Sequence, residues 1–302
     1  MAKVFDPAHV LMSDAKTGDV PTGYAEFIIQ EMIENSKVMQ LANYHEMKGA
    51  DGNPVMEKDF TFLGDGPGAY WVGEGEKIST SKVTWLKATM VSKKLGVIIP
   101  VSREYLHYTM ANFFDEVKPK IAEAFYKKFD EAGILNHENP FAQSIEQSVT
   151  GAGTAKTGAI TYENILDLQD VLYENGVVGN AFISKVQNRT ALRKARDGAN
   201  NELYERGANM LDGLPVADLN SAEMKKGTIY HGDFNHLHYG IPYTLTYSLS
   251  EEATLSTIKN EDGTDVNLFE QELIALRATM DVAFMITKDG AFAKLSEAPK
   301  IP

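Results

Sequence analysis

The chain has 302 residues, a formal net charge of −13 and no cysteine, with 43% apolar and 24% charged residues. Such a chain can bury a sizeable core in one large domain or two. These values exclude disulfide staples, thiolate catalysis and cysteine-ligated zinc, and they argue against a surface built to neutralise phosphates.

The opening MAKVFDPAHVLMSD has no apolar core behind a basic segment, so no secretory signal is read there. The apolar runs all fall short of the roughly 20 residues a membrane helix needs. Residues 1–21, with Pro7, Gly18 and Pro21, read as a polar extended arm. Tyr24–Leu41 places Phe27, Ile28, Met32, Ile33 and Val38 at helical spacing, and His45–Pro54 reads as a turn. Two extended runs then flank a glycine-rich tip at Gly64–Ser81. Glu57–Leu63 alternates Lys58, Phe60 and Phe62 against Asp59, Thr61 and Leu63. Val83–Val101 is β-branched, aromatic and alternating over 19 residues, bent by Gly96 and ended near Pro100.

At about 3.3 Å per residue that second run reaches roughly 60 Å. A compact chain of this length has a radius of gyration of about 19 Å, so the arm leaves its own globule. Its Tyr70, Trp71, Trp85, Leu86 and Met90 then require cover, most simply from a second copy of the chain. Lys77, Lys82, Lys87, Lys93 and Lys94 outnumber Glu74 and Glu76 in the same arm. A basic arm on an acidic body steers like chains together, and lysines also keep an exposed edge strand soluble; the residues alone do not choose between these roles.

Ser102–Gly133 reads as a long helix with Ser102 as N-cap, Gly133 as stop, and a kink or two abutting helices at Pro119. Phe114, Val117, Ile121, Phe125, Phe129 and Ala132 form its apolar stripe. Residues 136–160 read as a hinge or exposed loop. Beyond it come a helix at Tyr162–Asn175, a strand at Asn180–Ser184, a basic helix at Lys185–Ala195, and strands at Gly213–Leu219 and Thr228–His231. From Ile274 to Ile286 an unbroken alternation predicts a strand with one buried face. The stripe carrying Ile121, Phe125 and Phe129 and the strand face carrying Leu276, Met280 and Phe284 are expected to share one core.

This order of features resembles the Hong Kong 97-type major capsid proteins of tailed bacteriophages, particularly those of phages infecting Gram-positive bacteria. The residues that carry the resemblance are PGAYWVGEGEKISTSKVTW (Pro67–Trp85), LGVIIPVSREYL (Leu95–Leu106) and IAEAFYKKFDEAGILN (Ile121–Asn136), then DGLPVADL (Asp212–Leu219), Gly232–Phe234, Tyr239–Pro242 and Val266–Phe284. The resemblance implies an α+β fold: an N-terminal arm and short helix over 1–55, an extended β-hairpin loop over 56–101, a peripheral domain over 102–149 and 261–302 holding the spine helix and C-terminal strand, and an axial domain over 150–260. It implies a non-enzymatic shell subunit without cofactor, partnered by itself in pentamers and hexamers, by a portal and by packaged double-stranded DNA bound without sequence specificity. Localisation would be the virion capsid, assembled in the bacterial cytoplasm. The long cleaved N-terminal segment of many relatives is not recognised here, so the resemblance implies either a separate scaffolding protein or a chain that starts near the mature end. Subunit-interface residues in the loop would be Tyr70, Trp71, Glu74, Lys77, Lys82 and Trp85. Some relatives cross-link subunits through a loop lysine, an asparagine and a glutamate; Lys77 or Lys82 is the only member of that trio that can be placed. An encapsulin-type compartment, enclosing cargo proteins, is the alternative on the same fold.

Three other constellations compete for a chemical role. His231, Asp233, His236 and His238 have a spacing that would let imidazoles meet a metal in a metal-dependent enzyme; polar loop residues between Gly232 and Gly240 are the plainer reading. The glycines of GDGPG and GEGEK precede a strand rather than a helix and sit among acids, so they shape a loop tip and do not cradle phosphate. Lys185, Arg189, Arg193, Lys194 and Arg196 form a basic helix face, either solvated or set against DNA or an acidic neighbour.

Overall fold

The computed structural model describes residues 22–297 except 50, 66–76, 78–83, 200, 206, 244 and 261–262. Helices α1 (Thr22–Asn35) and α2 (Lys37–Leu41) replace the single helix expected over Tyr24–Leu41. The break is at Ser36, whose extended backbone and hydroxyl cap α2 through Met39 N. A buried carboxylate fixes it there: Asp130 accepts from Ser36 Oγ at 2.6 Å, Lys37 N at 2.8 Å and Val38 N at 3.1 Å. Burial nevertheless pushes the Asp130 carboxyl up to about 6, against those donors, which favour the ion.

Strand β1 (Asn43–Glu46) occupies the start of the expected turn. Strands β2 (Glu57–Asp65) and β3 (Thr84–Ser102) form the antiparallel hairpin, β3 passing through Pro100. Helix α3 (Arg103–Leu135) follows directly. It is one helix through Pro119, not two, and Ser102 takes the N-cap position without a side-chain bond. Gly133 does not stop it. The helix ends at the left-handed Asn136 (φ 59°), and Gly133 lies inside because a Cβ there would come within 3.0 Å of the Phe284 ring.

The segment expected as a hinge is ordered: α4 (Ile145–Ala152), capped by Ser144, buries Ile145 and Val149, and β4 (Ala155–Thr157) follows. Then come α5 (Tyr162–Glu174), β5 (Ala181–Lys185), α6 (Arg189–Lys194), β6 (Tyr204–Glu205), β7 (Met210–Leu211), β8 (Leu214–Leu219) and β9 (Ile229–Gly232). The chain finishes with β10 (Leu237–Ile241), β11 (Thr246–Ser250), β12 (Thr254–Lys259), β13 (Asp265–Asn267), β14 (Leu273–Ile286) and β15 (Phe292–Ser296).

One sheet runs β1-β10-β14-β3-β2, with β11 also on β14; a second runs β4-β15-β9-β5-β8-β7-β6. Ile121, Phe125 and Phe129 of α3 lie in one buried cluster with Leu276, Met280 and Phe284 of β14. Phe129 meets Phe284 edge-on at 6.3 Å and Phe141 at 5.9 Å. The β14 alternation understates its burial. From Met280 to Ile286 every residue is buried, because Met47 and Met90 cover Ala283 and Met285 on the second face.

Phe129→Ala is expected to destabilise the subunit by about 3–5 kcal/mol, read from urea unfolding, since the aromatic cluster leaves a cavity that cannot collapse. Asp130 predicts a pH dependence. Its folded pKa of about 6 lies above the ordinary 3.8, so the native state holds the extra proton between them. Stability therefore falls as pH rises through that window and levels off above it. Asp130→Asn should abolish the slope and cost about 1–3 kcal/mol, because its amide NH2 must face one of three donors. Urea midpoints across the window check both effects.

Candidate assembly surface

Strand β3 serves two partners in succession. Thr84–Val91 pairs with β2, in a register running from Asp65↔Thr84 to Glu57↔Val91. Ser92–Ser102 pairs with β14, from Ala283↔Ser92 to Leu273↔Ser102. The hairpin is thus the continuation of a core strand, and its direction is set by the sheet behind it.

Burial changes sharply along that strand. Met90 is 0% exposed, packed with Met47, Ala283, Met285 and the ring of Phe60. It needs no outside cover, contrary to the expectation from sequence, because the chain's own Met47 reaches it. Five residues away Trp85 is 66% exposed, an indole left to solvent in the subunit. Tyr70, Trp71, Glu74 and Lys82 lie outside the described residues, as does most of the glycine-rich tip; Lys77 is exposed.

Part of the hairpin's charge is spent within it. Lys87 pairs with Asp59 at 2.8 Å and Thr89 Oγ1 donates to the same carboxylate at 2.6 Å, which together hold the Asp59 carboxyl below its ordinary range. Lys58 Nζ donates to Glu46 O at 2.6 Å and lies 5.6 Å from the Phe60 ring centroid, stitching β2 to β1. These contacts stiffen the root of the arm.

His231 stands apart from the other two histidines of the sequence cluster, whereas His236 and His238 both lie beside Thr287. His231 stacks on Phe182 at 4.0 Å with Nδ1 3.0 Å from Ala181 O, and burial lowers its pKa to about 4. His238 lies 2.8 Å from His45 Nε2 on the neighbouring strand and is likewise lowered to about 4, by desolvation first and then by His45 and His236. His236 Nδ1 is 3.2 Å from Thr287 Oγ1, and Asp233 is 3.6 Å from its other nitrogen. Among the described residues no three or more His, Asp or Glu side chains gather as a metal would require. His45, the true partner of His238, was invisible to a search by sequence spacing because it is 193 positions away. On the basic helix, Arg189 pairs with Asp218, Arg196 with Glu202, and Lys185 donates to Met224 O; Arg193 and Lys194 remain exposed.

The Phage capsid family profile matches residues 19–296. The chain belongs to that family. It is 53% identical over 300 residues to the major capsid protein of Staphylococcus phage 80alpha, covering 99% of this chain and 91% of the relative. It is 26% identical over 246 residues to the probable major capsid protein gp17 of Mycobacterium phage L5, covering 76% of each. The fold is similar to solved chains from Microbacterium phage Oxtober96 (TM-score 0.71, 20% identity, 87% of this chain and 91% of that one) and Mycobacterium phage Adephagia (0.70, 21%, 89% and 92%). The architecture is accordingly the α+β Hong Kong 97-type capsid fold, with 29% helix and 39% strand. As a phage major capsid protein, the chain is a structural shell subunit that packs with copies of itself.

Trp85→Ala is expected to lower particle yield more than Lys77→Ala at physiological salt. An aromatic side chain that becomes buried on assembly contributes about 2 kcal/mol or more per interface, whereas exposed charges contribute little and are screened. Particle yield against salt concentration for both variants checks the order; a larger Lys77 defect would reverse it.

Proposed function

We propose that this capsid protein closes, as pentamers and hexamers, into an icosahedral shell around the double-stranded DNA genome of a tailed phage, without catalysis. The observation that carries the reading is the hairpin. A nine-residue strand and the outer half of a 19-residue strand project from the core and present Trp85 to solvent. The sheet directs them outward, and a neighbouring copy supplies the missing cover. In this reading Tyr70, Trp71, Glu74, Lys77, Lys82 and Trp85 form the loop's contact with that neighbour. Residues 1–55 are the arm and short helix, 56–101 the extended loop, 102–149 with 261–302 the peripheral domain, and 150–260 the axial domain, whose sheet also takes in β15.

A separate scaffolding protein and a portal complete the assembly in the host cytoplasm, and the DNA is held without sequence specificity. The net charge of −13 supports the last point, since a body of that sign binds no duplex tightly overall.

Deleting residues 67–82 is expected to leave a folded subunit that forms no closed shells when expressed with its scaffold. Electron microscopy and sedimentation read the outcome, and normal shells would overturn the role given to the loop. Nucleic-acid content of purified particles separates a genome container from a compartment for cargo proteins.

A further inference from the structure

On the seven-stranded sheet a cleft of about 810 Å³ is lined by Lys194 at the end of α6, by Lys225 and Lys226 before β9, by Lys294 and Ser296 of β15, and by one carboxylate, Glu297. Lys294 is already engaged by Glu146 at 2.5 Å. Lys194, Lys225 and Lys226 are exposed, and none has a partner among the described residues. In a chain of net charge −13, three free ammonium groups against the single carboxylate of Glu297 leave this concavity net positive, a place for an anionic group from outside.

The same sheet carries the complement. Glu163, Asp167, Asp170 and Glu174 recur at steps of four, three and four along α5, so they fall on one face of that helix. All four are exposed and likewise unpaired among the described residues. Leu166 and Tyr173, both exposed, border this stripe, giving it the apolar anchors beside a polar rim that a contact surface has. Exposed Val186 lies next to Gln187 of the cleft wall. The stripe and the cleft are distinct patches, although α6, whose Thr190, Ala191 and Lys194 wall the cleft, packs Leu192 into the same core as α5. Ala293 and Leu295 pack beneath α5 with Ile165, Leu168 and Leu172, while Lys294 and Ser296 face the cleft.

We propose that the lysine cleft receives the acidic α5 face of a second copy of this chain. Because donor and acceptor surfaces are different patches of the chain, the contact is head-to-tail and repeats around a ring, as heterologous interfaces do. It gives copies of a strongly acidic protein an attractive register in place of mutual repulsion, and it fixes which way each faces. Packaged DNA is the competing occupant of the cleft, but it would leave the unpaired α5 stripe and its exposed apolar neighbours without a partner. The inference rests on the shell function proposed above, in that the ring is taken to be the pentamer or hexamer.

The test is charge reversal in the full chain expressed with its scaffold. Lys194→Glu/Lys225→Glu/Lys226→Glu and, separately, Asp167→Lys/Asp170→Lys/Glu174→Lys should each lower particle yield at least about ten-fold, since like charges then face each other. Both sets in one chain should restore it. Mixing the two reversed chains should restore hexamers by alternation but not pentamers, where one joint is always mismatched. The altered side chains are exposed, and an unchanged melting temperature of the unassembled subunit verifies folding. Lys225→Gln/Lys226→Gln provides a milder arm and should assemble with reduced sensitivity to salt. Normal particles from either reversal, or no rescue by their combination, would overturn the proposal and leave the shell function standing. Normal shells that fail only to retain DNA would assign the cleft to the genome instead. Loss of shells from every chain, wild type included, would count against the shell function itself.

Discussion

The antiparallel pairing of β3 with β14 is the constraint on which the rest depends. It joins the projecting hairpin to the strand that carries the main core, so both are held by one ladder from Leu273↔Ser102 to Ala283↔Ser92. On one face of that ladder α3 packs its aromatic stripe, with Phe129 and Phe284 edge to edge. On the other, Met47 and Met90 close the root of the arm. Moving β14 by one residue would exchange these two faces and leave Gly133 opposite the wrong side chain. Gly133 is therefore a register marker, since a Cβ there would crowd the Phe284 ring at 3.0 Å.

Buried polar groups place the joints of this framework. Asp130 gathers Ser36 Oγ and two backbone amides, which breaks what would be one N-terminal helix and ties α2 to α3. His238 and His45 join β10 to β1, and Asn188 bridges Ser184, Thr228 O and Gly227 N behind β5. Each such group is costly to bury alone and inexpensive when fully bonded, which confines the chain to the arrangement that satisfies it.

Periodic signals in the sequence led to the right elements. The alternation of Glu57–Leu63 and Ile274–Ile286, and the stripe from Ile121 to Phe129, reflect burial that recurs at a fixed step. What they could not reveal was set by contacts distant in sequence. Nothing near Ser36 announces Asp130, and nothing near Gly133 announces Phe284, so a cap was read where there is a close packing contact. The segment 136–160 reads as a loop in sequence because its helix is only eight residues long and its glycines outweigh the short apolar pattern. Of the hairpin's apolar side chains that read alike in sequence, Trp85 is exposed in the subunit, whereas Met90 is covered by Met47, the residue after β1. The cleft was hidden because Lys194, Lys225 and Lys294 converge only in the folded sheet.

The two-partner strand also determines how the subunit bears load. A pull on the hairpin along its axis travels down β3 into the ladder with β14, parallel to the strands rather than across them. In that direction the inter-strand hydrogen bonds resist sliding together, instead of parting one after another as they do when a strand is peeled from an edge. Each contributes only about 0.5–1.5 kcal/mol at equilibrium, but rupture requires many at once. A force applied at the outer end of the hairpin is thereby carried into the α3 and β14 core of the same subunit, so in the assembly proposed above the arm acts as a tension member.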